Sequence, residues 1–211
     1  MLKLYSRERS GNCYKVRLML SLLNLDYEKI AVHREGKGRN ILPPGYDQLN
    51  PLKQIPVLVA GGTPYWGTIP ILVYLARKHG GEEWLPCDAE GEAEVTQWLS
   101  LSQNEIFYGL GRARSMRGER WHGSGTLEEA HAVAAVALSA LESRLRNHDW
   151  LALGRPTIAD VACYSYTVFA PEGGISLKPY PGVRAWLARI QGLPGYLNIP
   201  PYDGAGGSLV E

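Results

Sequence analysis

The segment Asn50 to His79, NPLKQIPVLVAGGTPYWGTIPILVYLARKH, constrains this chain more than any other. Ile55-Pro56-Val57-Leu58-Val59 reads as a strand. Pro56 has no N–H to give a ladder, so it belongs at a strand beginning or an edge, and Ile55-Pro56 is a candidate cis peptide. Gly61-Gly62 signals a tight hairpin, with Pro64-Tyr65-Trp66 starting the return strand. Thr68 is placed to cap a following helix, whose Ile71, Leu72 and Leu75 fall on one buried face. Gly80-Gly81 stops that helix.

Ahead of this segment, Leu2 to Tyr5 has the pattern of a first strand and SRERSGN (Ser6 to Asn12) of a polar loop. Cys13 to Leu23 has helical spacing, with Val16, Met19, Leu20 and Leu23 on one face. Asn24 ends this helix, and Tyr27 to Val32 is a second strand, giving a β-α-β unit with parallel strands. Residues 33–49, rich in Gly and Pro, read as a loop with at most a short helix near Tyr46. After residue 80 the strand signals stop. Ala93 to Met116 reads as one long helix and 117–125 as a break. Thr126-Leu127-Glu128-Glu129 and Thr157-Ile158-Ala159-Asp160 fit capping boxes. They open helices to about His148 and Val168, and Pro181 to Leu193 forms a last helix. The tail from Asn198 to Glu211 is rich in Gly and Pro. The expected fold is therefore an α/β N-terminal domain over 1–80, a linker over 81–90, and an all-α C-terminal domain over 91–211.

Composition narrows the function. A net charge of +1 provides no broad field for nucleic acid or a membrane surface, and no basic-aromatic stripe appears. MLKLYSRERS turns polar too soon for a signal-peptide core. No apolar run is long enough to span a bilayer. Cys13, Cys87 and Cys163 are far apart, which fits neither a disulfide framework nor a zinc spacing. The histidines are scattered as well. The expectation is a cytoplasmic protein without a metal.

The layout and five motifs in order resemble the cytosolic glutathione transferase superfamily. Ser10 to Leu18 (SGNCYKVRL) looks like the active-site loop and first helix of bacterial serine-type members. Asn50-Pro51 through Gln54-Ile55-Pro56-Val57-Leu58 looks like the cis-proline segment, and Ile71 to Ala76 like the helix after the γ-glutamyl site. Thr157 to Asp160 looks like the family's N-capping box, and Tyr180 to Leu187 like its late helix. The resemblance implies a thioredoxin-like first domain, glutathione as co-substrate, a small hydrophobic electrophile as partner and a homodimer.

Carried over residue by residue, Ser10 would donate a hydrogen bond to the glutathione thiolate, near a helix N-terminus that favours the anion. Alone, a serine there is commonly a cap. Asn12 would orient the loop or add a second donor. Cys13 raises a rival, a cysteine nucleophile or mixed disulfide, against the plainer reading of a buried cysteine. The backbone of Ile55, before Pro56, would pair with the cysteinyl backbone of glutathione as an added strand. Lys53 or Gln54 would reach the glycyl end. Thr68 keeps the hydroxyl of the γ-glutamyl site.

Three features depart from the pattern. Gly67 stands where relatives usually carry an acid for the ligand's ammonium. Pro70 removes an N–H from the helix start. Ile41 and Leu42 occupy a place where many relatives have a basic residue, leaving Lys37, Arg39 or Lys53 as substitutes. For the acceptor pocket, the candidates are Tyr108, Arg112, Met116, Trp121, Tyr164 and Tyr166, with Arg112 and Arg114 suited to an anion. Two functions follow. One is a glutathione S-transferase-like enzyme that conjugates or isomerises a small electrophile. The other is a protein of this fold whose glutathione site has degraded, serving another ligand in a specialised biosynthetic step or as a non-catalytic binding protein.

Overall fold

The computed structural model describes residues 1–36 and 40–199. Lys37 and Arg39, and the tail beyond 199, lie outside the described residues.

Strand β1 (Leu2–Ser6) lies at the centre of a four-stranded sheet ordered β2-β1-β5-β6. Strand β2 (Tyr27–Ala31) runs parallel to it, with Leu4 opposite Lys29. Strand β5 (Val57–Ala60) runs antiparallel on its other side, with Leu4 opposite Leu58. Strand β6 (Thr63–Trp66) returns along β5. The expected loop at 33–49 contains a small ribbon, β3 (His33–Arg34) paired with β4 (Asn40–Ile41), and helix α2 (Tyr46–Leu49). A two-residue strand is too short to leave an alternating pattern.

Helix α1 (Gly11–Leu22) buries Val16, Met19 and Leu20 on the sheet. Helix α3 (Thr68–Leu75) buries Ile71, Leu72 and Leu75, as its spacing requires. Its cap is Gly67 and not Thr68. Gly67 sits at φ 84° and ψ 135°, backbone that side chains rarely adopt, and Thr68 becomes the first helical residue, buried beneath it. A π-helical turn (Ala76–Gly80) and the short helix α4 (Gly81–Trp84) lead to the second half.

The span Ala93–Met116 is not one helix. Helix α5 (Ala89–Gln103) stops at Asn104, whose backbone leaves the helical region. A π-helical stretch (Ile106–Gly111) and helix α6 (Arg112–Arg117) follow. Gly109 lies inside the π-helical stretch, where a Cβ would stand 2.5 Å from the Ala134 backbone nitrogen. Close passage of the next helix is incompatible with a side chain at that point.

Both capping boxes form. Thr126 and Glu129 open α7 (Leu127–Leu145), and Thr157 and Asp160 open α8 (Ile158–Val168). Asp160 is buried and accepts from Thr157 N at 2.9 Å, Leu151 N at 3.2 Å and Trp186 Nε1 at 2.9 Å. Burial pushes its pKa up to about 6 while these donors pull it down. Trp186 belongs to the last helix, α9 (Pro181–Gln191), so one carboxylate joins a loop and two helices. Helix α8 is buried along its whole length and α1 packs on it, which brings the start of α1 against the helical half.

Candidate active site

The loop from β1 to α1 is shaped by Arg17, a buried residue of α1. Its Nη1 donates to Ser6 Oγ at 2.9 Å and to the Arg7 carbonyl at 3.0 Å. Its Nη2 donates to the Glu8 carbonyl at 2.6 Å. Three bonds to one planar cation thus hold the strand end and the start of the loop.

Ser10 is the N-cap of α1. Its Oγ accepts from the Cys13 N–H at 3.3 Å, and its own hydroxyl proton has no acceptor among the described residues. An accepting cap leaves that proton available to donate. Asn12 is half-buried beside it, and its Oδ1 has no hydrogen-bond partner among the described residues. Cys13 is fully buried and points away from solvent.

On the other edge, Ile55-Pro56 is cis. The approach to it is fixed by Asn50, whose Oδ1 accepts from Leu52 N at 2.9 Å while its Nδ2 donates to the Gln54 carbonyl at 2.9 Å. Tyr46 Oη donates to the same carbonyl at 2.9 Å. Lys53, with φ 53°, and Gln54 are exposed. Neither the N–H nor the C=O of Ile55 makes a backbone hydrogen bond among the described residues, so this stretch is an unpaired edge ahead of β5. The first turn of α3 has no side-chain cap. Gly67 and Thr68 lie at its start, and Pro70 contributes no N–H. Ile41 is exposed and Leu42 half-buried.

A cavity of about 310 Å³ opens between the β1–α1 loop and α6. Ser10 and Gly11 line it from the loop and the start of α1, Arg114 and Ser115 from α6, and Tyr166 from α8. The ring of Tyr166 reaches this place because Gly11 and Gly111 have no side chains: a Cβ on Gly11 would lie 2.6 Å from its Cε1. Behind the ring, Lys15 is fully buried, donates to Ser102 Oγ at 3.1 Å, and has Nζ 4.9 Å from the ring centroid. Burial lowers the Lys15 pKa to about 8.

The expected acceptor residues are not brought together. Tyr164 lies in the core and bonds Tyr196 at 2.8 Å. Tyr108 is exposed against Phe107. Arg112 turns outward to Glu129 at 2.8 Å, with its guanidinium over Trp121. Met116 is half-buried and does not line the cavity. Arg114 and Tyr166 do line it, joined by Arg7, Arg9, Arg34 and Arg120, which sequence reasoning did not single out. The available signal was the SRERS run, which sets two arginines directly before Ser10.

Residues 4–83 match the family model "Glutathione S-transferase, N-terminal domain", and residues 118–194 match "Glutathione S-transferase, C-terminal domain". The chain is 31% identical over 195 residues to glutathione S-transferase D7 of Anopheles gambiae, covering 89% of this chain and 85% of that one. It is 27% identical over 212 residues to a maleylpyruvate isomerase of a Ralstonia species, with 95% and 97% covered. A solved structure of a possible glutathione S-transferase from Rhodopseudomonas palustris superimposes with a TM-score of 0.81 at 33% identity, over 94% of this chain and 97% of that one. With an unpaired strand edge at Ile55-Pro56, a serine-capped α1 and an all-helical second half already in place, these matches establish that the chain belongs to the glutathione S-transferase family.

Proposed function

We propose that this chain binds glutathione along the edge from Lys53 to Thr68, and that Ser10 holds its thiolate for addition to, or isomerisation of, a small electrophile. The observation that carries this reading is the state of the Ser10 hydroxyl. Its oxygen is occupied by the Cys13 N–H, so its proton is directed elsewhere. A donor at a helix N-terminus favours a thiolate over a thiol. Bound there, glutathione would supply a sulfur nucleophile.

The residues fit a peptide ligand in part. The unpaired N–H and C=O of Ile55 suit a strand-like backbone. The uncapped N–H groups of Thr68 and Ile69, with the Thr68 hydroxyl, suit an α-carboxylate. Lys53 and Gln54 are exposed beside them for the glycyl end. Gly67 offers no side-chain carboxylate to an ammonium. Asn12 supports the Ser10 loop in this scheme. Cys13 is buried, which favours a packing role over a redox one.

A second reading, a family fold turned to another ligand, is favoured by Gly67 and Pro70. Calorimetry with reduced glutathione separates the two. Heat of binding at millimolar ligand supports the first, and none would overturn it. Among the described residues no helix is long and apolar enough to cross a membrane. A cytoplasmic homodimer, with the first domain of one subunit against the helices of the other, belongs to the same proposal and is checked by sedimentation.

A further inference from the structure

The cavity beside Ser10 has an unusual charge. Five arginines line it (Arg7, Arg9, Arg34, Arg114 and Arg120), in a chain whose net charge is only +1. Two groups can be distinguished. Arg9 and Arg114 share Glu172, each at 2.7 Å. That carboxylate offsets one of the two charges, and Arg114 Nη2 is buried with no hydrogen-bond partner among the described residues. Arg114 itself is 4% exposed.

Arg7, Arg34 and Arg120 make up the second group. None has a carboxylate within ion-pair distance among the described residues, and Arg34 Nε is buried without a hydrogen-bond partner there. Burial, and then the neighbouring Arg34 and Arg120, draws the Arg7 pKa below its usual value. Glu8 on the rim does not compensate them, because it pairs with Lys29 and with Arg17.

Guanidinium groups stay charged at any physiological pH, and their planar forks match carboxylate geometry. Uncompensated like charges in a part-enclosed space focus potential and raise the local concentration of anions. Two clusters of guanidinium groups, one gathered on Glu172 and the other around Arg7, suit a ligand with a negative group at each end. No residue from 53 to 68 lines the cavity, so its ligand is distinct from one lying along the Ile55-Pro56 edge. We infer that this cavity binds a small organic dianion of the dicarboxylate class, one carboxylate toward Arg114 and the other toward Arg34 and Arg120. Its role as the second substrate rests on the proposed glutathione reading. Its presence as an anion site does not.

Succinate tests the site without reacting. Calorimetry of the full chain with succinate, butyrate, dimethyl succinate and inorganic phosphate, each with and without reduced glutathione, should show succinate binding tightest. R34Q and R120Q should each weaken succinate about tenfold or more, the loss expected for one charged hydrogen bond, and added salt should weaken it further. Equal affinity for succinate and its dimethyl ester, phosphate binding as tightly as succinate, or unchanged binding in both variants would overturn the inference. Succinate binding without any glutathione heat upholds the anion site and sinks the glutathione reading. Glutathione heat without succinate binding does the reverse.

Discussion

Tyr166 and Gly11 are in a contact that no other residue at position 11 permits: a Cβ there would stand 2.6 Å from Cε1 of the ring. Gly11→Ala should gain up to about 1 kcal/mol of helix propensity. It should lose more to overpacking, about 1–3 kcal/mol, because the ring is held from behind by Lys15. Urea unfolding should show a net loss, and Tyr166→Leu in the same chain should recover part of it.

Ser10 caps α1, and the proposed function gives it a second duty that the same substitution would remove. Ser10→Ala should cost about 1 kcal/mol of stability through the lost cap. The larger effect should be on the thiolate: removing a hydrogen bond to an anion costs roughly 1.5–3 kcal/mol, a tenfold to hundredfold loss of rate. The pH dependence of thiolate absorbance in the glutathione complex should move upward in the variant, whereas affinity for glutathione should change little. An unmoved absorbance curve would mean that Ser10 is only a cap.

Gly67→Asp introduces the acid that the family resemblance leads one to expect there, and it does so on unfavourable backbone. At φ 84° a side chain costs of the order of 1–3 kcal/mol, and the new Cβ would meet Pro70 Cδ at 3.4 Å. The variant should therefore bind glutathione up to about tenfold tighter and unfold at lower denaturant. Calorimetry and denaturation on the same preparation check both signs at once.

Lys15 predicts an unusual alkaline dependence. Its folded-state pKa, lowered by burial to about 8, lies below the ordinary value of 10.5. Below pH 8 the folded chain carries a buried ammonium at full cost. Between pH 8 and 10.5 the unfolded chain holds a proton that the folded chain has released, so this residue's contribution to stability rises with pH. The rise amounts to about 3 kcal/mol. Lys15→Met should be more stable at neutral pH, and the difference between variant and parent should shrink as pH approaches 10.5.

Much of the scaffold was legible because it is written locally. Thr126 with Glu129, Thr157 with Asp160, and the spacing of Ile71, Leu72 and Leu75 each specify a helix start or face within a few residues. The arginine-lined cavity was not legible, for a reason of register. The π-helical stretch Ile106–Gly111 rotates everything after it relative to a continuous helix. It turns Arg112 outward to Glu129 and directs Arg114 and Ser115 inward. Within that stretch Gly109 lies against Ala134, a contact between residues 25 apart in sequence that no helical pattern announces. The Arg34 and Glu172 contributions arise from still more distant segments.

Glu172 binds Arg9 of the loop before α1 and Arg114 of α6, and so serves the cavity as both a fastener and a counterweight. These two properties cannot be adjusted separately. Neutralising this carboxylate would make the pocket more attractive to anions and, in the same act, unclip the wall that bears Ser10 from the wall that faces it. A lineage seeking a different pocket charge would find easier routes at Arg34 or Arg120, which no ion pair ties to the frame among the described residues, than at Arg7, which donates to Asn40.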